Sequence, residues 1–493
     1  NRSTWEPSTQ RGRDEILFHD FETGVTSGGT MFADGANWVR GRDQVAGLDA
    51  NLEAGTHTLK FGVEYRINQV SYKDDTALLV RTDMGGVWNY LQLYLHTDGT
   101  VRNRIPAAFV QDTWRLGDRL RVNAGLRWTG QYLEDSAGKT AVEITDQWQP
   151  RMGASLQLDD EGRARIFGSA GRFYQDLSLY APTRFLIEDS YTATTIWDHD
   201  PRQDPTGGTV FQESSWLPVD SGIEGQYFDE VTLGYEREVG DRNRLTVRGI
   251  HRSLGQAVED ALSPDLGGWV WGNPGSGDLA AYPEASREYS ALEVSLEGSR
   301  RGRFNYFCSY VLSRTRGNTS GLFASDYGGG FANIGPQWDY PELMVNGHGL
   351  LPNDRPHVVK LAGSWRTDRG VTLGATLSWM SGTPLSEFGA TPVGSDYQIF
   401  LEPRGSAGRT PSIWDLNLRV AYDLARHLGW MENGRLICDL LHVGSPREAT
   451  GLDQRRYWGV DEQGNQAFPN DTYGDPVAYQ PPFAVRLGLE TMF

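Results

Sequence analysis

At 493 residues, with 11% aromatics, 59 glycines and a formal charge of −18, the chain has room for several ordinary domains or for one very large β structure. The negative balance argues against nucleic acid as a partner, because phosphate binding needs clustered Lys and Arg. No run of eighteen apolar residues is present, so no transmembrane helix is expected, and no signal-peptide pattern opens the sequence.

Taken in chain order, the sequence alternates apolar and polar residues at step two, the period of a strand. Such stretches lie near 14–21, 37–53, 57–71, 104–115, 119–132, 147–158, 163–174, 226–238, 243–254, 288–299, 303–315, 356–366, 371–383, 411–423, 434–444 and 482–493. A further stretch, VWNYLQLYL at 87–95, reads as the extension of a hairpin beyond the others. In 119–132 one face is Leu120, Val122, Ala124, Leu126 and Trp128, and the other carries Arg121, Asn123, Gly125 and Arg127. In 371–381, Val371, Leu373, Ala375, Leu377 and Trp379 alternate with Thr372, Gly374, Thr376 and Ser378. The last twelve residues alternate Phe483, Val485, Leu487, Leu489, Thr491 and Phe493 against Arg486, Gly488 and Glu490.

Short polar turns join the strands in pairs, at 54–57, 116–119, 159–162, 239–243, 299–303 and 367–370. Long connections separate the pairs, at about 133–147, 175–225, 255–286, 317–353, 384–410 and 446–479. If every strand crosses one wall, all short turns fall on one side and all long loops on the other. A soluble sandwich usually has short connections on both sides. A membrane barrel turns its apolar face to lipid and its polar face to a lumen, and pairs short turns with long outer loops. The expectation is therefore all-β: a transmembrane antiparallel β-barrel with short periplasmic turns and long extracellular loops, built from about sixteen strands. Trp128, Tyr132, Trp379 and Tyr422 are expected toward the long-loop ends, as an outer aromatic girdle. Cys308 and Cys438 fall on the apolar face and read as lipid-facing thiols rather than a bridge.

Several segments, AAFVQDTWRLGDRLRVNAGLRW (107–128), WQPRMGASLQ (148–157), FGSAGRFYQD (167–176), LPNDRPHVVKLAGSW (351–365) and VTLGATLSWMSGTPLS (371–386), together resemble the barrel of TonB-dependent outer-membrane receptors. The likeness is to the Oar-like branch and runs from about residue 37 to the end. It implies a 22-stranded barrel filled by an N-terminal plug that follows a TonB-binding box. On that reading residues 1–493 are the C-terminal portion of the barrel, with plug and TonB box outside this sequence. The resemblance also implies TonB, outer-membrane lipid and the outer-membrane assembly machinery as partners, and possible further surface or periplasmic proteins. The Val485, Leu487, Leu489, Thr491 and Phe493 face resembles the C-terminal signal read by that machinery.

No catalytic constellation is found: GxSxG, HExxH and P-loop patterns are lacking and the nine His are scattered, so no enzyme is expected. His357 reads as a hydrogen-bonding residue at the loop end of a strand, and Asp159 and Asp160 as solvated turn residues. The loop near 175–225 contains IWDHDPRQDP, in which Trp197, Asp198, Asp200 and Asp204 are candidate ligand contacts. Its oxygen-rich composition suits Ca²⁺, which takes six to eight oxygen ligands, but EF-hand spacing is lacking. A solvated acidic loop without a cofactor is the preferred reading. Tyr327, Trp338 and Tyr340 in the loop 317–353 stand equally for stacking on a ligand or packing at the barrel mouth. The expected function is import of a ligand captured by outer loops. The alternatives are a structural or protein-interaction barrel and a plug-less, porin-like channel.

Overall fold

A computed structural model describes residues 2–5, 16–27, 38–84, 87–214, 218–240, 242–300, 302–323, 326, 333–424 and 433–492. Fifteen long strands follow one another as antiparallel neighbours in one sheet: β1 (Trp38–Ala54), β2 (His57–Asp83), β3 (Trp88–Leu116), β4 (Leu120–Glu134), β5 (Thr140–Gln157), β6 (Ala164–Tyr174), β7 (Tyr227–Val239), β8 (Asn243–Gln256), β9 (Arg287–Arg300), β10 (Phe304–Gly317), β11 (His357–Arg366), β12 (Val371–Met380), β13 (Ile413–Asp423), β14 (Asn433–Leu441) and β15 (Ala484–Met492). Short turns join β1 to β2, β3 to β4, β5 to β6, β7 to β8, β9 to β10, and β11 to β12, and the long loops emerge at the opposite end. At the short turns the chain reverses through left-handed glycines such as Gly55 (φ +61°) and Gly117 (φ +66°). A side chain added there would meet nothing, so the glycines answer a backbone requirement and not a shortage of space.

The two faces sort as the alternation predicts. Val231, Leu233, Leu292, Leu312, Val485, Leu487 and Leu489 stand exposed on the outer face, where lipid covers them. Cys308 pairs in register with Leu296 and Leu361, and Cys438 with Val420 and Leu487, so both free thiols lie on that apolar face. Arg127 meets Glu64 at 3.3 Å on the lumen side. Arg419 and Arg486 converge there on Asp439, at 2.6 and 2.7 Å. Ion pairs of this kind let a wide lumen hold charge on adjacent strands without leaving it unbalanced.

Three sequence expectations need correction. The stretch 14–21 is not a wall strand: Leu17–Asp20 pairs in parallel with Leu78–Arg81, on the part of β2 that extends beyond the wall. Among the described residues the wall comprises fifteen long strands, and the short strand Arg2–Trp5 pairs antiparallel with β1 in the same sheet, close to the sixteen expected. The supposed loop 133–147 is mostly strand, because β4 runs to Glu134 and β5 starts at Thr140. Tyr422 lies at the short-turn end, opposite Val371, while Trp414 takes the outer position beside Trp379. Strand direction alternates, so a girdle assignment depends on the strand's parity as well as on its residues. Trp128 and Trp148, with ring centroids 6.5 Å apart, and Tyr174 and Tyr227, 5.1 Å apart, complete the outer aromatics. The extension at 87–95 is borne out: β2 and β3 pair continuously from His57 with Trp114 to Asp83 with Trp88. Their 27 and 29 residues far exceed the ~9–11 that a tilted crossing needs.

Among the described residues β15 pairs with β14, and β1 pairs with β2 and the short strand Arg2–Trp5. No pairing between β15 and β1 is present among them.

Candidate functional site

Three of the long loops fold into the mouth of the wall. Above the lipid zone the inner face of β3, β4 and β5 changes from charged to apolar, presenting Val101, Leu133, Val142 and Ile144. Onto these residues the loop 175–226 lays Leu177, Leu179, Ala181, Phe185, Leu186 and Ile187. Phe185 stacks on Trp271, with ring centroids 5.7 Å apart, and so ties this loop to the hairpin Glu259–Ser263 and Gly268–Gly272. A second cluster joins that hairpin to the next loop through Ala261, Val270, Leu279, Tyr282, Trp338 and Met344. The result is an apolar cap, built by three loops, that sits in the outer opening.

Backbone that runs through such a cap must be satisfied by side chains, since a buried unpaired amide is costly. Gln131, on the inner face of β4, accepts from Asn103 Nδ2 at 2.8 Å and from the Leu177 amide at 2.9 Å. Asn273 accepts from the Glu224 amide at 2.7 Å and donates to the Ala257 carbonyl at 2.7 Å. Gln226 donates to Gln175 at 3.1 Å and accepts from Asn333 at 3.1 Å. Arg404, from the loop 381–412, is locked to the loop 318–356. It donates to both oxygens of Asp326 (2.7 and 2.8 Å), to the Asn318 carbonyl (2.8 Å) and to Ser320 (2.6 Å). Asp354 accepts from the Thr315 amide at 2.6 Å and pairs with Arg409.

The sequence candidates occupy different parts of this region. Trp197 is buried with Phe18, Leu79 and Tyr90, and its indole donates to the Pro205 carbonyl at 3.3 Å. Asp198 faces the His199 ring at 2.6 Å, and that contact lowers the Asp198 pKa and raises that of His199. Asp200 is held by Arg202 at 2.7 Å, and Asp204 caps Thr206 through its amide (3.0 Å) and hydroxyl (2.7 Å). Each carboxylate therefore serves its own turn, and among the described residues no three His, Cys, Asp or Glu side chains come together. Trp338 is fully buried and packs against Tyr282, so within the cap it is a packing residue. Tyr340 stays partly exposed, edge-on to Trp269 and Tyr397 at 6.0 and 5.2 Å. Tyr327 and Phe493 lie outside the described residues. His357 accepts or donates to Tyr310 at 2.8 Å, the cross-strand bond expected of it.

Sequence reasoning missed Arg404, Gln131, Asp439 and Glu259. Glu259 is buried beside Asp260 and Asp339 and accepts from the Gly335 amide at 2.9 Å. Burial, reinforced by the neighbouring carboxylates, holds its pKa well above the ordinary glutamate range. The folded cap thus binds this proton more tightly than the unfolded loop does. Cap stability is full below the ordinary glutamate range and falls as pH rises from there toward the raised value. Glu259→Gln keeps the acceptor for Gly335 and removes the ionisation. Amide protection of the cap in wild type should decline as pH rises above the ordinary glutamate value of 4.5, while that of the variant stays level; parallel profiles would refute the assignment.

Beneath the cap, on the lumen side of β7 to β11, lies a cavity of about 880 Å³, within the size range of small-molecule sites. It is lined by Gln175, Gln226, Arg252, Arg287, Tyr289 and Lys360 among others.

A family model described as the TonB dependent receptor-like β-barrel matches residues 2–436. The chain is 27% identical over 452 residues to the TonB-dependent transporter Oar of Myxococcus xanthus, covering 78% of this chain and 42% of that protein. The outer membrane transporter YddB from Escherichia coli has a similar fold, with a TM-score of 0.61 at 12% identity, covering 100% of this chain and 59% of that one. The FrpB iron transporter from Neisseria meningitidis (F3-3 variant) follows at 0.55 and 10% identity, covering 92% of this chain and 55% of that one. The chain thus spans less than half the length of the curated relative that it matches.

Proposed function

The chain belongs to the TonB-dependent receptor-like β-barrel family, as an integral protein of the bacterial outer membrane, and from that premise we propose that it serves as the wall and outer loops of a ligand-importing receptor. Outer loops capture the ligand, a plug outside residues 1–493 gates the lumen, and TonB supplies force from the inner membrane. The observation that carries this reading is the cap itself. The loops 175–226, 257–286 and 318–356 pack on the inner face of the wall, over a polar, ion-paired lumen. A barrel meant only to present loops to another protein has no need to bury Leu177, Phe185 and Trp271 inside its own mouth. The family is one of receptors and transporters, and no catalytic role is proposed.

Sequencing upstream of the Asn1 codon tests the reading. A plug-sized domain preceded by a TonB box is expected, and a signal peptide abutting Asn1 would overturn energised import in favour of a structural or channel-forming barrel. Calcium in the 198–204 turn is not part of the proposal, since each of its carboxylates already has a local partner.

The C-terminal face is proposed as the assembly signal. Val485, Leu487 and Leu489 stand exposed on the outer face of β15, and Thr491 follows them in the same alternation. Deleting Phe493 should lower the outer-membrane level severalfold with synthesis unchanged, read by membrane fractionation and pulse labelling; normal membrane levels would sink the claim.

A further inference from the structure

The cavity beneath the cap carries a charge pattern opposite to that of the chain. Five of its lining residues are formally charged: Arg252, Arg287, Arg355 and Lys360 are cations, and Glu293 alone is an anion. Glu293 is engaged by Arg248, and Arg252 by Glu230. Arg355 donates to the Ser381 carbonyl at 2.5 Å, and among the described residues no carboxylate pairs with it. The Arg287 Nη1 atom is buried and has no hydrogen-bond partner, and its charged neighbours are Arg252 and Arg404. Among the described residues no carboxylate pairs with Arg287 or with Lys360. The undescribed residues of the adjoining loop, 324–325 and 327–332, include no Asp or Glu, so the shortage is not filled from there.

In a chain of net charge −18, carboxylates are plentiful, and elsewhere in the lumen they pair with arginine on neighbouring strands. A half-buried arginine beside two other guanidiniums is unfavourable unless an anion completes it. A guanidinium presents a planar fork suited to carboxylate or phosphate, and an ammonium adds a compact charge without fixed direction. Among the described residues Arg287 and Lys360 are the uncommitted cations of this chamber, and Tyr289 and Phe228 supply apolar wall between the polar groups.

We propose that this chamber is an anion-binding site for a small solute carrying two or more carboxylate or phosphate groups, with Arg287 and Lys360 as its principal contacts and Arg355 at its edge. The proposal rests on the receptor reading only for the direction of passage; binding itself does not require TonB.

Calorimetric titration of the full receptor that contains this chain, purified in detergent at low ionic strength, with pyrophosphate and with citrate, tests the site. At least one probe should bind saturably, and Arg287→Gln/Lys360→Gln should weaken that binding at least tenfold. Arg165→Gln, which breaks the Arg165–Glu236 pair (3.0 Å) near the short-turn end, should leave it unchanged. Preference for pyrophosphate assigns phosphate chemistry, preference for citrate assigns carboxylate chemistry, and equal binding supports a general anion site. Arg287→Lys keeps the charge without the fork and should lose only part of the affinity; it carries the test if the double variant fails to insert. Lack of saturable binding in the wild type, or equal binding by the double variant, would overturn the proposal. Either result leaves the receptor reading standing, because that reading is tested by the upstream sequence.

Discussion

Replacing Arg404 by alanine is expected to open the cap while leaving the wall intact. The Arg404–Asp326 pair is almost fully buried, at 1% and 4% side-chain exposure, and it joins two loops that are otherwise far apart in the chain. Alanine removes four side-chain hydrogen bonds and leaves the Asp326 carboxylate buried without its cation. Breaking a buried pair from one side costs about 3–5 kcal/mol, more than the pair itself is worth relative to an apolar replacement. The Arg404 main chain also matters, since its amide donates to Asn346 (2.9 Å) and its carbonyl accepts from Leu350 (3.1 Å), but alanine preserves both. The loss should therefore appear as faster amide exchange and protease cleavage at 318–350 and 400–405, with the heat-resistant mobility of the barrel unchanged. Arg404→Met combined with Asp326→Leu should recover much of the protection, because neither charge is then stranded. Unaltered protection in Arg404→Ala would show that the apolar clusters alone hold the cap.

The wall was legible because lipid and lumen impose opposite chemistry at a period of two. Nothing needed to be known of neighbours to place Leu487 out and Arg486 in. The cap was not legible for the converse reason. Leu133, Val142 and Ile144 continue the inward alternation of their strands with apolar residues, and only the loop 175–226 resting on them explains the change. A sequence reader who sees the charged pattern stop concludes that the strand stops. Arg404 and Asp326 are an example of the same difficulty, since each sits in a Gly-rich loop with no periodicity to mark it. Alternation alone puts Arg419 and Arg486 on the polar face of their strands, but it does not single out the Asp439 between them, because β13, β14 and β15 must be set in register before the three converge. Trp338 stands in the sequence equally for stacking on a ligand and for packing, and only its burial against Tyr282 identifies it as a packing residue within the cap. For the wall a residue's chemistry fixed its face; for the cap, partners distant in sequence fixed everything.

Leu233→Arg should prevent stable insertion, and Thr232→Arg, one residue earlier, should not. Leu233 lies at the middle of β7, is 64% exposed, and faces outward between Gly168 and Gly249 in register. Neither glycine offers a side chain that would shield a charge there or pair with it. An arginine at the bilayer midplane of a barrel's lipid face costs about 2–4 kcal/mol, less toward either interface. Position 233 is far from both girdles, so snorkelling to a headgroup gives little relief. Thr232 points into the lumen, where water and the carboxylates of Glu230 and Glu236 on the same strand face can accommodate a new guanidinium. The contrast between adjacent positions separates a two-faced membrane wall from a soluble sheet, in which an exposed leucine would tolerate arginine within ±0.5 kcal/mol. Heat-modifiable electrophoretic mobility and membrane fractionation read the outcome. Equal behaviour of the two variants would mean that β7 does not divide lipid from lumen, and the assignment of every other strand face would fail with it.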